Sequence, residues 1–172
     1  MMNKRLERLA LAGLALALAP AFAAGAATFP QEIAREGTKN ITVPAAAGWV
    51  DAGFDVSEGD VYIFLAEGQI TLQRGNPAAQ CGPEGMDLRT TQQPILDRNL
   101  GSLVGKVAQL ISVRIDEDTG EEIRDEIFAL FPIGSETRVV IPIQGRLYLG
   151  INESVVKDNG GELSVVAVRI LN

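Results

Sequence analysis

Val61-Tyr62-Ile63-Phe64-Leu65 is apolar at every position, and near the end of the chain Val165-Val166-Ala167-Val168 repeats the pattern. Runs this short, without a polar face and rich in β-branched and aromatic residues, read as strands covered on both sides. Other stretches alternate instead. Ile111, Val113 and Ile115 are separated by Ser112 and Arg114, the period of two that a half-buried strand shows. Working outward, the text from Lys39 onward is short apolar segments punctuated by Gly, Pro, Asn and Asp, with no long helical period. Strands are expected at 40–43, 49–56, 61–66, 69–73, 103–115, 122–131, 138–143, 146–151 and 163–171. Nine short strands suit two sheets packed about 10 Å apart better than one flat sheet. The expected fold class is all-β, a β-sandwich of jelly-roll type.

The first residues carry Lys4, Arg5 and Arg8 against a single acid, Glu7, and are followed by the Leu/Ala/Gly run 9–19 and Pro20. A basic segment, an apolar segment and then Ala21-Phe22-Ala23 make a secretory signal peptide over residues 1–23, cut after Ala23. Residues 24–38 are a leader segment in which Pro30 opens a short helix, and 39–172 form one domain. The protein is expected to be exported, to the periplasm or beyond the cell, without inserting directly into the membrane after processing.

Loss of three cations and one acid takes the formal charge from −7 to −9. An acidic surface repels phosphate backbones and anionic headgroups, so nucleic acid is excluded as a partner. The roughly 150 remaining residues suit one core. Cys81 is the single cysteine and there is no histidine. No intramolecular disulfide can form; Cys81 is expected to be a buried inert thiol, with bridging of two chains into a homo-oligomer as the other reading. Without histidine, Ser-His-Asp and Cys-His nucleophiles and imidazole zinc sites are excluded. Paired carboxylates could still hydrolyse glycosides, but no acid is marked out by its neighbours for that work. The expectation is a binding protein and not an enzyme.

Two segments do not read as strand. Asp116-Glu117-Asp118-Thr119-Gly120-Glu121 lies between two strong strands and lacks the twelve-residue EF-hand loop, so it is expected to be a solvated hairpin tip. Residues 74–101 are rich in Gly, Pro, Gln, Asn and Thr; irregular segments of that length within a compact domain are usually functional.

Asn152-Glu153 follows the strand at 146–151, and Asp158-Asn159-Gly160-Gly161 precedes the last strand. One loop thus collects two carboxylates and two amides. Calcium takes about six to eight oxygen ligands from carboxylates, amide carbonyls and backbone carbonyls, all of which this loop has. Asp-Asn-Gly-Gly is equally an ordinary turn string, and both readings stand on spacing alone.

Gly145-Arg146-Leu147-Tyr148-Leu149-Gly150-Ile151-Asn152-Glu153 followed by Asp158-Asn159-Gly160-Gly161 resembles the calcium end of the PA-I galactophilic lectin family. Upstream, Trp49-Val50-Asp51-Ala52-Gly53-Phe54-Asp55-Val56 with Glu58-Gly59-Asp60 resembles the family's opening strands. Cys81-Gly82-Pro83-Glu84-Gly85 falls at its Gly-Pro-x-Gly loop, and Leu100-Gly101-Ser102-Leu103-Val104-Gly105-Lys106-Val107 at the strand after it. Together these pieces, in order, span nearly all of 47–171. The resemblance implies a galactose-binding-like sandwich in which one Ca2+ bridges protein and sugar hydroxyls. It implies side-chain ligands from Glu153, Asp158 and Asn159, with Asn152 beside them, and backbone carbonyls near Val156 or Lys157 and near Leu72 or Gln73. The sugar would be read partly by the 74–101 segment, through Glu84, Asp87 and Arg89. Glu153 stands where family members carry aspartate, and the family's sugar-contacting histidine has no counterpart. The expected function is calcium-assisted carbohydrate binding, the partner galactose-like or another glycan. The alternative is a structural or assembly module of the envelope or extracellular matrix that has lost the metal site. Trp49 and Tyr148 are expected inside the sandwich, which leaves no aromatic platform for a sugar ring.

Overall fold

A computed structural model describes residues 37–171. The signal peptide, nearly all of the leader segment and its short helix lie outside the described residues. Nine strands run in order: β1 (Lys39–Pro44), β2 (Trp49–Val56), β3 (Val61–Thr71), β4 (Gln80–Cys81), β5 (Leu103–Ile115), β6 (Glu122–Pro132), β7 (Glu136–Val140), β8 (Gly145–Ile151) and β9 (Gly160–Ile170). They form two antiparallel sheets. One has the order β1-β9-β3-β4, with β7 also paired to β3, and the other the order β2-β8-β5-β6. The expected β-sandwich is what the chain builds.

Alternation fills the space between the sheets. Leu147, Leu149 and Ile151 of β8 and Leu163, Val165 and Ala167 of β9 are all buried, each set on one face of its strand. Aromatic rings join the layers: Phe54, Tyr62, Phe64 and Phe131 follow one another with centroids 5.9, 5.9 and 6.0 Å apart. Gly105 makes room for the last of these, since a Cβ there would lie 2.3 Å from the Phe131 ring.

Several expectations are corrected by packing. The strands expected at 61–66 and 69–73 are one strand, β3, because Gly68 takes φ +118° and continues the ladder against β9. A Cβ at Gly68 would sit 2.7 Å from the Glu162 carbonyl, so only glycine lets the two backbones run this close. β4 was not expected, having two residues and too little pattern to read. The strand expected at 138–143 lies earlier, at Glu136–Val140. Trp49 and Tyr148 lie half-buried on the outer face of the second sheet. Leu147 and Leu149 take the inward positions, so Tyr148 between them must face out. Trp49 is opposite Gly150 in register, and a Cβ at Gly150 would lie 2.8 Å from the indole. The Lys106 ammonium sits 5.2 Å from the Trp49 ring and 4.9 Å from the Tyr148 ring, a cation–π arrangement.

β5 pairs with β8 only as far as Ala108↔Arg146. Beyond that rung β5 and β6 continue as a two-stranded ribbon to Ile115↔Glu122. At its tip the Asp116 carboxylate accepts the N–H groups of Asp118 and Thr119, each at 2.9 Å, which holds the carboxyl below its usual range. Cys81 is a free, buried thiol on β4. Burial, and then the nearby Glu153 charge, push its pKa up.

Candidate functional site

One end of the sandwich gathers the end of β3, the starts of β5 and β9 and the end of β8, because Thr71 pairs with Gly160 and Leu103 pairs with Ile151. The 72–102 segment and the 152–159 loop therefore lie against each other. Asn152 joins them. It is fully buried; its Nδ2 donates to the carbonyls of Ile95 (2.9 Å) and Asn99 (3.1 Å), and its Oδ1 accepts the Ile95 N–H at 2.8 Å. Its side chain faces the long segment, and its Oδ1 is committed there. Asn152, expected beside the metal, is a tie between loops.

Glu153 is half-buried, and its Oε2 accepts a hydrogen bond from Asn159 Nδ2 at 2.7 Å. Burial pushes its pKa up and the Asp158 charge adds to that, while the bond from Asn159 opposes it. Asn159 is fully buried, and its Nδ2 also donates to the Ala45 carbonyl at 3.2 Å. Its Oδ1 is enclosed and accepts no hydrogen bond. The backbone turns at this point through the Asn159 N–H, which donates to the Val156 carbonyl at 3.2 Å. Gly161, at φ +80°, then brings the chain so close to β3 that a Cβ would be 2.5 Å from the Gln69 carbonyl. Gly160 and Gly161 both pair with β3 in β9, and of the two only Gly161 takes a positive φ.

Arg74, which carried no weight in the sequence, grips this loop from outside. Its backbone N–H donates to the Asp158 carbonyl (2.9 Å), its Nε to the Asn159 carbonyl (2.7 Å) and its Nη2 to the Lys157 carbonyl (3.4 Å). The Lys157 carbonyl is thus engaged by a cation of the chain itself. The Gln73 carbonyl accepts from both the Thr71 hydroxyl (2.8 Å) and the Asn76 N–H (3.1 Å), which uses both of its lone pairs. The Gln73 carbonyl therefore does not fit the metal-ligand role the resemblance implied, whereas the Lys157 carbonyl, with one long hydrogen bond, keeps a lone pair. The other oxygen donors of this loop are the Glu153 carboxylate, the Asn159 Oδ1 and the Val156 carbonyl, with the exposed Asp158 carboxylate close enough to raise the Glu153 pKa. Among the described residues no three acidic, histidine or cysteine side chains stand together as a metal cluster.

At the same end, where β5 begins and β6 finishes, a cleft of about 370 Å³ is lined by Glu84, Arg89, Asp97, Arg98, Asn99 and Thr137, among others. Glu84 and Arg89, expected as sugar contacts, meet here; Asp87 is exposed and is not part of the lining. Glu84 Oε1 accepts from both the N–H and the hydroxyl of Ser135, bonds that hold its carboxyl below the usual range. Gly134 beside it takes φ +69°, the left-handed region that favours glycine. Asp97, Arg98 and Asn99 were missed. Their signal was a run of three consecutive polar side chains inside the segment already marked as functional.

No family model and no curated protein matches the chain. Among solved structures it is similar to the EclA N-terminal domain, a PllA-like lectin, at 24% identity and TM-score 0.52, over 77% of this chain and 96% of that one. The fold is shared with that lectin domain. A second structure, from the disulfide-linked pili of Bacillus endospore appendages, is 12% identical over 78% of this chain and 87% of that one, with a TM-score of 0.24. At that score it carries no weight for the fold.

Proposed function

We propose that this is an exported carbohydrate-binding protein of lectin type whose 152–159 loop binds Ca2+. One observation carries the reading: the Asn159 Oδ1 is fully enclosed without a donor, beside a half-buried Glu153 carboxylate whose charge is opposed by burial and by Asp158. Buried acceptors without partners and crowded carboxylates are both relieved by a cation. The Arg74 guanidinium engages the outward carbonyls of the loop, and is not among the influences on the Glu153 pKa. Glu153, Asp158, the Asn159 amide oxygen and the Val156 carbonyl would hold the ion. Such a set falls short of the six to eight oxygens calcium takes, and the ion would offer its remaining positions to vicinal hydroxyls of a glycan.

The chain's own residues supply the rest. Arg74 fixes the loop backbone, Asn152 fixes the long segment against it, and the neighbouring cleft presents guanidinium donors from Arg89 and Arg98 beside carboxylate acceptors from Glu84 and Asp97. Alternating donors and acceptors of this kind match the hydroxyls of a sugar better than an apolar ligand. The similarity to a PllA-like lectin domain supports the same reading. We read the protein as a binder and not an enzyme.

The test is thermal melting in EDTA and then in millimolar calcium, followed by a glycan array under both conditions. A ligand that binds only the folded state raises stability by RT ln(1 + [L]/Kd). The expected result is a rise in Tm with calcium that Glu153→Gln abolishes, and glycan binding that requires calcium. No Tm shift together with a blank array overturns the proposal.

A further inference from the structure

The β5–β6 ribbon exposes Leu110, Ile111, Val113, Ile115, Ile127 and Phe128, each between 49% and 62% accessible. More than half of the exposed large hydrophobic residues described lie on this one hairpin. A two-stranded ribbon is marginal by itself in water, and this one has no third strand after Ala108↔Arg146. β6 is the last strand of its sheet, so its outer edge presents unpaired backbone groups along eleven residues. Two of the usual blunting devices are missing from its interior, since β6 contains no lysine and its one proline is the terminal Pro132; its charges, Glu122, Arg124, Asp125 and Glu126, are of both signs.

We propose that β6 pairs antiparallel with β6 of a second copy of this chain, in a twofold arrangement centred on Asp125. The segment Ile123-Arg124-Asp125-Glu126-Ile127 is complementary to itself when reversed. In this register Ile123 faces Ile127 of the second copy, and Arg124 faces Glu126 of the second copy, each pair occurring twice. Directly opposed apolar and opposite-charge pairs are what stabilise antiparallel strands, and a twofold interface requires this self-complementarity. Arg124 already bonds Glu122 at 2.6 Å through Nε, and its guanidinium keeps further donors for the second copy. The central Asp125 would meet its own equivalent. That repulsion is moderated from within each chain, because Asp125 accepts the Ser112 hydroxyl at 2.8 Å and stands 3.6 Å from Arg114 Nε. Other registers lose this match: with Arg124 at the centre, Glu122 faces Glu126, and with Ile127 there, Arg124 faces Leu130 and Ile123 faces Phe131.

Pairing would join two four-stranded sheets into one of eight and give the ribbon the neighbour it lacks. It would leave the calcium loop clear, since that loop lies at the end of β8 away from the ribbon. Cys81 is buried, so the association does not depend on an intermolecular disulfide.

Sedimentation velocity and light scattering on the mature protein across a concentration series, with and without reductant, test the proposal. The expected mass is twice that of one chain under both conditions. Arg124→Glu alone and Glu126→Arg alone each place like charges across the interface and are expected to give monomers. An equimolar mixture of the two restores opposite charges at both positions and is expected to return the dimer, which rules out misfolding as the cause of the single-variant loss. A wild-type monomer at millimolar concentration, a dimer indifferent to both substitutions, or single variants that fail to complement one another would each overturn it.

Discussion

The Nε of Arg74 donates to the Asn159 carbonyl at 2.7 Å, across 85 residues of sequence. With its own N–H on Asp158 and its Nη2 on Lys157, one side chain and its backbone fix three successive carbonyls of the loop. Replacing Arg74 by Met keeps the aliphatic stem and removes both guanidinium bonds. Hydrogen bonds from a charged donor are worth about 1.5–3 kcal/mol each when well formed, and partial exposure lowers that. We expect a loss of about 1–2 kcal/mol in chemical denaturation. Trypsin should also cut after Lys157 faster than in the wild type, and an unchanged cleavage rate there would show that Arg74 does not hold the loop.

Glu153 predicts an unusual pH dependence. Its folded pKa is raised, chiefly by burial, so the folded state holds the proton more tightly than the unfolded one. Its contribution is therefore fully present below the unfolded carboxylate value of about 4.3 and is lost as pH rises through the folded value. In EDTA, Glu153→Gln should melt higher than wild type at neutral pH, with the gap closing as pH falls toward 4. Calcium favours the charged form and should reverse the order at neutral pH. Melting curves of both proteins from pH 4 to 8, with and without the ion, check each sign.

Asn152 makes three side-chain bonds to the long segment from a fully buried position. Asn152→Ala leaves the Ile95 N–H and two carbonyls without those partners. A cost of about 2–4 kcal/mol is expected. Amide exchange should accelerate around 88–100 while β3 and β9 keep their protection, and uniform acceleration throughout the domain would contradict a local role.

Gly105→Ala tests the aromatic join between the sheets. Its Cβ would meet the Phe131 ring at 2.3 Å, and overpacking of this kind costs about 1–3 kcal/mol. Pairing it with Phe131→Leu should recover part of the loss, and additive losses in the double variant would rule out the contact as its cause.

Much of the architecture was legible because burial imposes period. β2 and β5 have the bounds read from alternation and apolar runs, and most other strands lie within a few residues of theirs. What escaped depends on neighbours distant in sequence. Gly68 reads as a break between strands, and only the approach of Glu162 shows why β3 runs through it. Tyr148 reads as core by composition, whereas its phase against Leu147 and Leu149 sends it outward. Within the candidate site, Asn159 and Glu153 are hydrogen-bonded, and the Asp158 charge acts on Glu153 from an exposed position. Asn152 differs because a buried amide that ties loops and an amide that binds an ion are the same letter in sequence. Arg74 was illegible for a related reason: its partners are carbonyls, which every residue has.

Cys81 lies on β4 within the long segment, 9% accessible, and it is the chain's one cysteine. Its alkylation rate therefore reports how often that end of the sandwich breathes. A maleimide time course would read the breathing without any engineered label, and a ligand that closes the loops should slow it in proportion to occupancy.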